Sequence, residues 1–204
     1  MREDDTAPTR RRTRFGILLA ALALFAALPA SADSFRVDLI LFLDLYSGGE
    51  AGAAAQQPAE SAALSLDDTA GLIAAGIRVL PDAEFGLQEH WSRLRNSRRF
   101  RPLMRLAWEQ ARPPEANGPR LAIRHGEPIT ITDPLTYSSF LVPPVDGSVS
   151  LLMSRYLHLD VDLRYTESDG HQFALSERRR MRRDELHHID SPKLGVLARV
   201  QKLP

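Results

Sequence analysis

Alternation of apolar and polar residues is clearest between Arg155 and Tyr165, where leucine or valine occupies every second position from 157 to 163. A period of two is the pattern of a strand with one buried face and one exposed face. Similar runs lie at 149–153 and 173–182, and Asp146-Gly147 is a turn signal ahead of the first of them. Three such strands joined by short connections predict an antiparallel meander.

The remainder of the chain adds a further strand and a helix. Residues 35–43 alternate at first and are then apolar throughout, which predicts a strand buried on both faces. Leu87, Trp91 and Leu94 have the spacing of an amphipathic helix. The expected fold class is therefore α+β, with a mainly antiparallel β-sheet, a C-terminal meander and one or two packed helices.

The first 32 residues have the pattern of a secretory signal peptide. Four arginines between positions 10 and 14 precede an apolar run at 15–28, and Ala30-Ser31-Ala32 is a small-residue cleavage site. We therefore expect cleavage near Ala32, export to the periplasm and no stable membrane span after cleavage. An uncleaved N-terminal anchor is the alternative interpretation.

Residues 33–204 are then expected to form a single α+β envelope domain, since this length suffices for one hydrophobic core. Within it, residues 47–65 are rich in alanine, glycine, glutamine and serine and contain no aromatic residue. Such a composition cannot bury much surface, which predicts a flexible loop.

Charge and cysteine content exclude several classes of protein. The 26 basic and 26 acidic side chains balance, which is atypical of a general nucleic-acid binder. The absence of cysteine excludes disulfides, a thiol nucleophile and thiolate metal sites. No phosphate-binding glycine loop and no Gly-x-Ser-x-Gly motif occurs, so neither a cofactor nor a serine hydrolase is expected.

The densest positive charge after residue 32 lies at 178–183, where five of six residues are arginine. On a strand, Arg178, Arg180 and Arg182 share one face and Arg179 lies on the other. A row of guanidinium groups is spaced to meet repeated carboxylates or phosphates. The alternative interpretation is an edge strand that its charges keep solvated.

Several ordered blocks of the sequence carry a family resemblance: residues 155–163, 179–195, 94–101 and 106–110. The most specific is the Arg-Arg-Met-Arg … Glu-Leu-His … Asp-x-Pro … Leu-Gly pattern in the second block. With these blocks the chain resembles the CsiV family of periplasmic peptidoglycan-binding proteins of Gram-negative bacteria. It departs from the usual pattern at His188, where the family has an aromatic residue, and at Ser191, where it has a histidine.

The resemblance implies a non-catalytic protein that binds peptidoglycan and is an accessory to cell-wall synthesis. It also implies association with an outer-membrane lipoprotein of the LpoA type, which activates a class A penicillin-binding protein.

The arginine row offers a physical basis for wall binding. Peptidoglycan carries stem-peptide carboxylates at regular intervals, and arginine binds carboxylates through paired hydrogen bonds. An aromatic ring such as Tyr156 can pack against sugars. Each exposed ion pair contributes only about 0–1 kcal/mol, so affinity would require several contacts along the polymer. The candidate ligand-binding residues are Arg178, Arg179, Arg180, Arg182, Tyr156, His158 and His187.

Other functions fit parts of the same sequence. Anionic lipid or another protein would also satisfy the arginines. A metal-dependent wall hydrolase would use histidine and carboxylate ligands, although His187 and His188 would point to opposite faces of a strand. A carboxylate pair for glycan cleavage depends on distance in space. The candidate metal ligands are His158, Asp160, Asp162, His187, His188 and Asp190, and the candidate cleavage carboxylates are Asp160, Asp162, Glu185 and Asp190.

Replacement of Arg178, Arg180 and Arg182 with serine is expected to weaken binding to purified sacculi, because three guanidinium groups are removed from one face. The far-ultraviolet circular dichroism should stay unchanged, since these side chains are predicted to be exposed. Unaltered sacculus binding would remove the arginine row from the mechanism.

Overall fold

Strands make up most of the structure. The computed structural model describes residues 33–47, 52–58, 62–133 and 135–204. The predicted signal peptide and parts of the predicted 47–65 loop lie outside these residues. No helix in the described ranges combines the length and the apolar character needed to cross a membrane.

The secondary-structure elements follow one another in this order along the chain. The strands are β1 Ser34–Asp44, β2 Ala53–Ala54, β3 Ile77–Val79, β4 Phe100–Ala111, β5 Leu121–His125, β6 Ile129–Thr132, β7 Ser139–Val142, β8 Val145–Met153, β9 Leu157–Thr166, β10 His171–Met181, β11 Leu186–Asp190 and β12 Leu194–Lys202. The helices are α1 Thr69–Ala74 and α2 Gln88–Arg95, and a 3₁₀ turn spans Asp82–Glu84.

The strands form two five-stranded antiparallel sheets and a separate hairpin. The first sheet has the order β11-β12-β1-β4-β3 and the second has the order β2-β10-β9-β8-β5, while β6 pairs with β7. In the second sheet β8, β9 and β10 are consecutive neighbours, which is the predicted meander. The predicted α+β class, mainly antiparallel with two short helices, is confirmed.

The two sheets pack face to face over a shared hydrophobic core. Alternate residues of β1, from Phe35 to Leu43, and alternate residues of β9, from Leu157 to Leu163, belong to this core. Trp108 of β4 is fully buried in it. Because burial of one large apolar side chain contributes about 1.5–3 kcal/mol, this layer is the main attraction between the sheets.

β1 is also buried on its outer face, as the apolar run predicted. Ile40 and Phe42 form a second apolar cluster with Leu87 and Leu94, against which Trp91 packs. Trp91 and Leu94 of the predicted stripe therefore lie on the face of α2 that packs on the first sheet, and Leu87 immediately precedes the helix.

Asp38 is a fully buried carboxylate on this outer face of β1. It accepts two hydrogen bonds from the guanidinium of Arg36, both at 3.0 Å, and one from the backbone N–H of Gly86 at 2.6 Å. Arg199 lies 3.7 Å from the same carboxylate and donates to the Gly86 carbonyl at 3.1 Å. A buried charge is tolerated only when it is paired and hydrogen-bonded, so these contacts fasten the segment before α2 to the sheet.

Asp146-Gly147 does not form the predicted turn. Both residues lie within β8 and are paired with Arg164 and Leu163 of β9. Gly147 has φ = 143°, and a Cβ at this position would lie 2.2 Å from the carbonyl oxygen of Asp162. Close approach of two strands therefore requires this glycine, whereas the Asp-Gly pair alone indicated a turn.

Gly195 of β12 lies against the ring of Phe42. A Cβ at position 195 would lie 2.3 Å from Cζ of that ring. The ring has little freedom to move, because it meets Phe100 edge to face and stacks on His188. Only glycine therefore fits beneath Phe42.

Gly195→Ala is expected to destabilise the protein by about 1–3 kcal/mol, because the added methyl group overpacks the Phe42 site. Equilibrium unfolding in urea measures the change. Phe42→Leu combined with Gly195→Ala should cost less than the sum of the two single substitutions. A neutral Gly195→Ala, or strict additivity, would contradict this account of the contact.

Candidate functional site

Arginine side chains are concentrated at one end of the second sheet. Met181 at the end of β10 is paired with Leu157 at the start of β9. The β8–β9 turn therefore lies beside the residues that follow β10. We call the residues of these two segments the basic end, and it comprises Arg155, Tyr156, Arg180, Arg182 and Arg183. Arg183 follows β10 and its backbone bridges to Val200 of β12.

The predicted row of three arginines is only partly present. Arg178 and Arg180 lie on the outer face of β10, but the strand ends one residue before Arg182. The Arg182 side chain is 73% exposed and its nearest carboxylate is 3.8 Å away. Arg179 lies on the other face and donates to the carbonyl oxygen of His188 in β11 at 3.0 Å.

A groove of about 380 Å³ lies along β10, and side chains from both faces of the strand line it. Its lining includes five of the seven candidate ligand-binding residues and two carboxylates, whereas Tyr156 and His158 lie outside it. The lining residues are Glu177, Arg178, Arg179, Arg180, Arg182, Glu185 and His187.

Arg178 is paired with Asp160, which it shares with Arg120. One oxygen of Asp160 accepts hydrogen bonds from Arg178 and from Arg120, both at 3.0 Å. Arg120 also donates to the hydroxyl of Ser148 at 2.7 Å. Burial disfavours the charged carboxylate, but the hydrogen bonds and charges of the two arginines outweigh it and lower the pKa of Asp160. Both guanidinium groups are thereby fixed on the sheet.

Arg180 lies over the ring of Tyr156, with 3.4 Å between its Cζ and the ring centroid. Arg155 lies 5.4 Å from the same centroid. Among the described residues, neither arginine has a carboxylate within ion-pair distance. The cation–π contact contributes about 0.5–1 kcal/mol at an exposed site. The ring that was expected to meet a sugar is therefore covered in part by a guanidinium group.

The two candidate histidines are hydrogen-bonded to the backbone. Nδ1 of His158 lies 2.9 Å from the carbonyl oxygen two residues before it. Nε2 of His187 accepts a hydrogen bond from the backbone N–H of Arg182 at 2.9 Å. Both rings therefore help to fix the local backbone.

The ligands of the hydrolase interpretation are not brought together. Within the described parts of the chain, no group of three or more histidine, aspartate or glutamate side chains could hold a metal ion. Asp160 contacts two arginines instead, and His188 stacks on Phe42, away from its neighbour His187.

The predicted set of ligand-binding residues omits three arginines of this region. Arg155 and Arg183 belong to the basic end, and Arg120 holds Asp160 from the segment before β5. The meander carries the signal for Arg155, because its first turn must lie beside the end of its third strand. Nothing in the spacing indicates Arg120, which reaches Asp160 across β8.

The two departures from the CsiV pattern have clear contacts. His188 stacks on Phe42 with 5.7 Å between ring centroids and an interplanar angle of 20°. An aromatic residue at this position could make the same contact. The hydroxyl of Ser191 accepts a hydrogen bond from the backbone N–H of Leu194 at 3.2 Å, within the β11–β12 turn.

Asp160→Asn is expected to destabilise the protein near neutral pH, because Arg178 and Arg120 lose their charged partner. The folded-state pKa of Asp160 is lowered, so its stabilisation is complete above the unfolded-state pKa of about 3.9. That stabilisation is lost as the pH falls through the folded-state value. The gap in melting temperature between wild type and variant should therefore be wide near neutral pH and close in acid.

Asp162→Asn, on the same strand face, is the matched control for this measurement, because Asp162 pairs with no arginine among the described residues. A gap for Asp160→Asn that has the same width at neutral and at acidic pH would contradict the assigned role of the carboxylate.

Comparison with known proteins identifies the family of the chain. A family model described as "Peptidoglycan-binding protein, CsiV" matches residues 15–203. No curated protein and no solved structure matches the chain significantly. The matched range contains every strand from β1 to β12 and most of the sequence before them. The chain therefore belongs to the CsiV family of peptidoglycan-binding proteins.

Proposed function

We propose that this protein is a non-catalytic, periplasmic peptidoglycan-binding protein that acts as an accessory to cell-wall synthesis. Membership of a peptidoglycan-binding family implies the cell envelope and supports the polymer as ligand. The basic end carries the proposal, because Arg155, Arg180 and Arg183 have no ion-pair partner among the described residues. Guanidinium groups without such partners are available to bind stem-peptide carboxylates.

The contacts of the nearby carboxylates support binding without cleavage. Asp160 is held by Arg178 and Arg120, and Glu177 lies 3.1 Å from Arg179. A glycosidase needs one carboxylic acid whose pKa is raised so that it can donate a proton. The pKa of Asp160 is instead lowered by its arginine partners.

The geometry changes which residues we expect to contact the polymer. Arg178 is bound to Asp160, so its donors are partly used within the sheet. Arg180 retains its donors while Tyr156 supports its guanidinium plane. Arg155 and Arg183 extend the cluster beyond the strand. Affinity then comes from several weak contacts repeated along the polymer.

We also propose that the protein acts through an outer-membrane lipoprotein of the LpoA type, which activates a class A penicillin-binding protein. The family resemblance supports this partner. Recovery of such a lipoprotein on the immobilised chain, in the absence of sacculi, is the expected result. No recovery would contradict the partnership and leave wall binding untouched.

The triple variant Arg155→Ser, Arg180→Ser and Arg183→Ser is expected to weaken sacculus binding about tenfold, because three exposed contacts of about 0.5 kcal/mol each sum to about 1.4 kcal/mol. A pull-down with purified sacculi, at low and high salt, measures the loss. Wild-type binding should fall as salt rises, and no soluble fragments should be released.

The matched control removes three other exposed arginines that have no ion pair among the described residues: Arg95, Arg98 and Arg112. This control should bind like wild type, which separates a local effect from a change in net charge. Equal binding by both triple variants would contradict the basic end as the contact surface. Flotation with anionic liposomes, together with no binding to sacculi, would favour the lipid interpretation.

A further inference from the structure

A larger groove lies at the opposite end of the second sheet from the basic end. It has a volume of about 1350 Å³ and lies between the β6–β7 hairpin and residues Arg124 and Asp146 of β5 and β8. The register confirms the separation, because β8 begins opposite Tyr165 of β9 and ends opposite Leu157, beside the basic end. Gln57 also lines the groove, so a described part of the 47–65 segment forms one wall.

The charge of this groove differs from that of the basic end. Residues 125–154 contain no lysine and no arginine. The one guanidinium in the lining, Arg124, is paired with Asp146 at 3.2 Å, and Glu127 adds a second carboxylate. A ligand rich in carboxylates or phosphates would therefore meet little attraction here, whereas a neutral ligand would meet no electrostatic penalty.

The groove also combines an apolar surface with groups that both donate and accept hydrogen bonds. Leu141 is 65% exposed, lines the groove and is paired with Thr130 across the hairpin. The hydroxyls of Thr130 and Ser139 and the amide of Gln57 can each donate and accept. Such a surface suits sugars, whose rings have apolar faces and rims of hydroxyl and amide groups. The volume exceeds the typical 300–1000 Å³ of a small-molecule pocket, which leaves room for a short oligomer.

We propose that this groove binds the neutral sugar backbone of peptidoglycan, with Leu141 against the apolar face of a sugar and the Arg124–Asp146 pair at its hydroxyls. The inference rests on the proposed wall-binding function and divides it between two surfaces. The basic end meets the stem-peptide carboxylates, and the groove meets the glycan strand. Two modest contacts on one repetitive polymer then act together.

Isothermal titration calorimetry of the full chain with chitohexaose, a neutral hexamer of N-acetylglucosamine, tests this inference. Wild type should bind the hexamer. Leu141→Arg should weaken binding at least tenfold, because the longer side chain fills the groove from an exposed position. Arg124→Ala should weaken it less. Tyr137→Ala is the matched control, because Tyr137 lies on the same hairpin, is 83% exposed and does not line the groove.

Thermal unfolding of Leu141→Arg and Tyr137→Ala should match wild type, since both altered side chains are exposed. The inference would be overturned if wild type did not bind chitohexaose, or if Leu141→Arg bound it as tightly as wild type. The inference would also be overturned if wild type did not bind the hexamer and Leu141→Arg abolished the binding of an isolated stem peptide. The variant lacking Arg155, Arg180 and Arg183 should still bind chitohexaose, so failure of the groove and failure of the basic end are separate results.

Discussion

Burial of β1 on both faces determines how the remaining elements are arranged. Its inner face packs against the second sheet. Its outer face packs against α2 and the segment before that helix. This segment is fastened by Asp38, whose charge is tolerated only because arginines and a backbone N–H surround it. Gly195 leaves the space that the ring of Phe42 occupies. Packing of this layer thus covers the outer face of the first sheet around Ile40 and Phe42.

The second sheet, by contrast, has one face in the core and one polar outer face. Its meander brings the β8–β9 turn beside the end of β10, which gathers arginines from separate segments. Asp160 fixes Arg178 and Arg120 within the sheet, while Arg180 rests on Tyr156. Arginines that form ion pairs therefore stabilise the sheet, and arginines that form none are available to a ligand.

Much of this fold could be predicted from residue spacing, because buried strands and helices carry strict periodicity. The meander and the stripe on α2 follow from local patterns. The Asp146-Gly147 pair was interpreted as a turn, because this dipeptide is common in turns. The glycine is instead needed where two strands approach closely, and the residue types alone do not distinguish the two cases. β11 is short and has few apolar residues, so it resembles a connector. The site was harder to predict, because the pairing of Arg178 depends on residues distant in sequence.

Solution NMR with a soluble muropeptide is the most direct test of the central claim, that the polymer's stem carboxylates bind at the basic end. The largest chemical-shift changes should fall on the backbone amides of Tyr156, Arg180 and Arg183, and they should decrease as salt increases. Changes confined to the first sheet around α2, or no changes at any peptide concentration, would contradict the account.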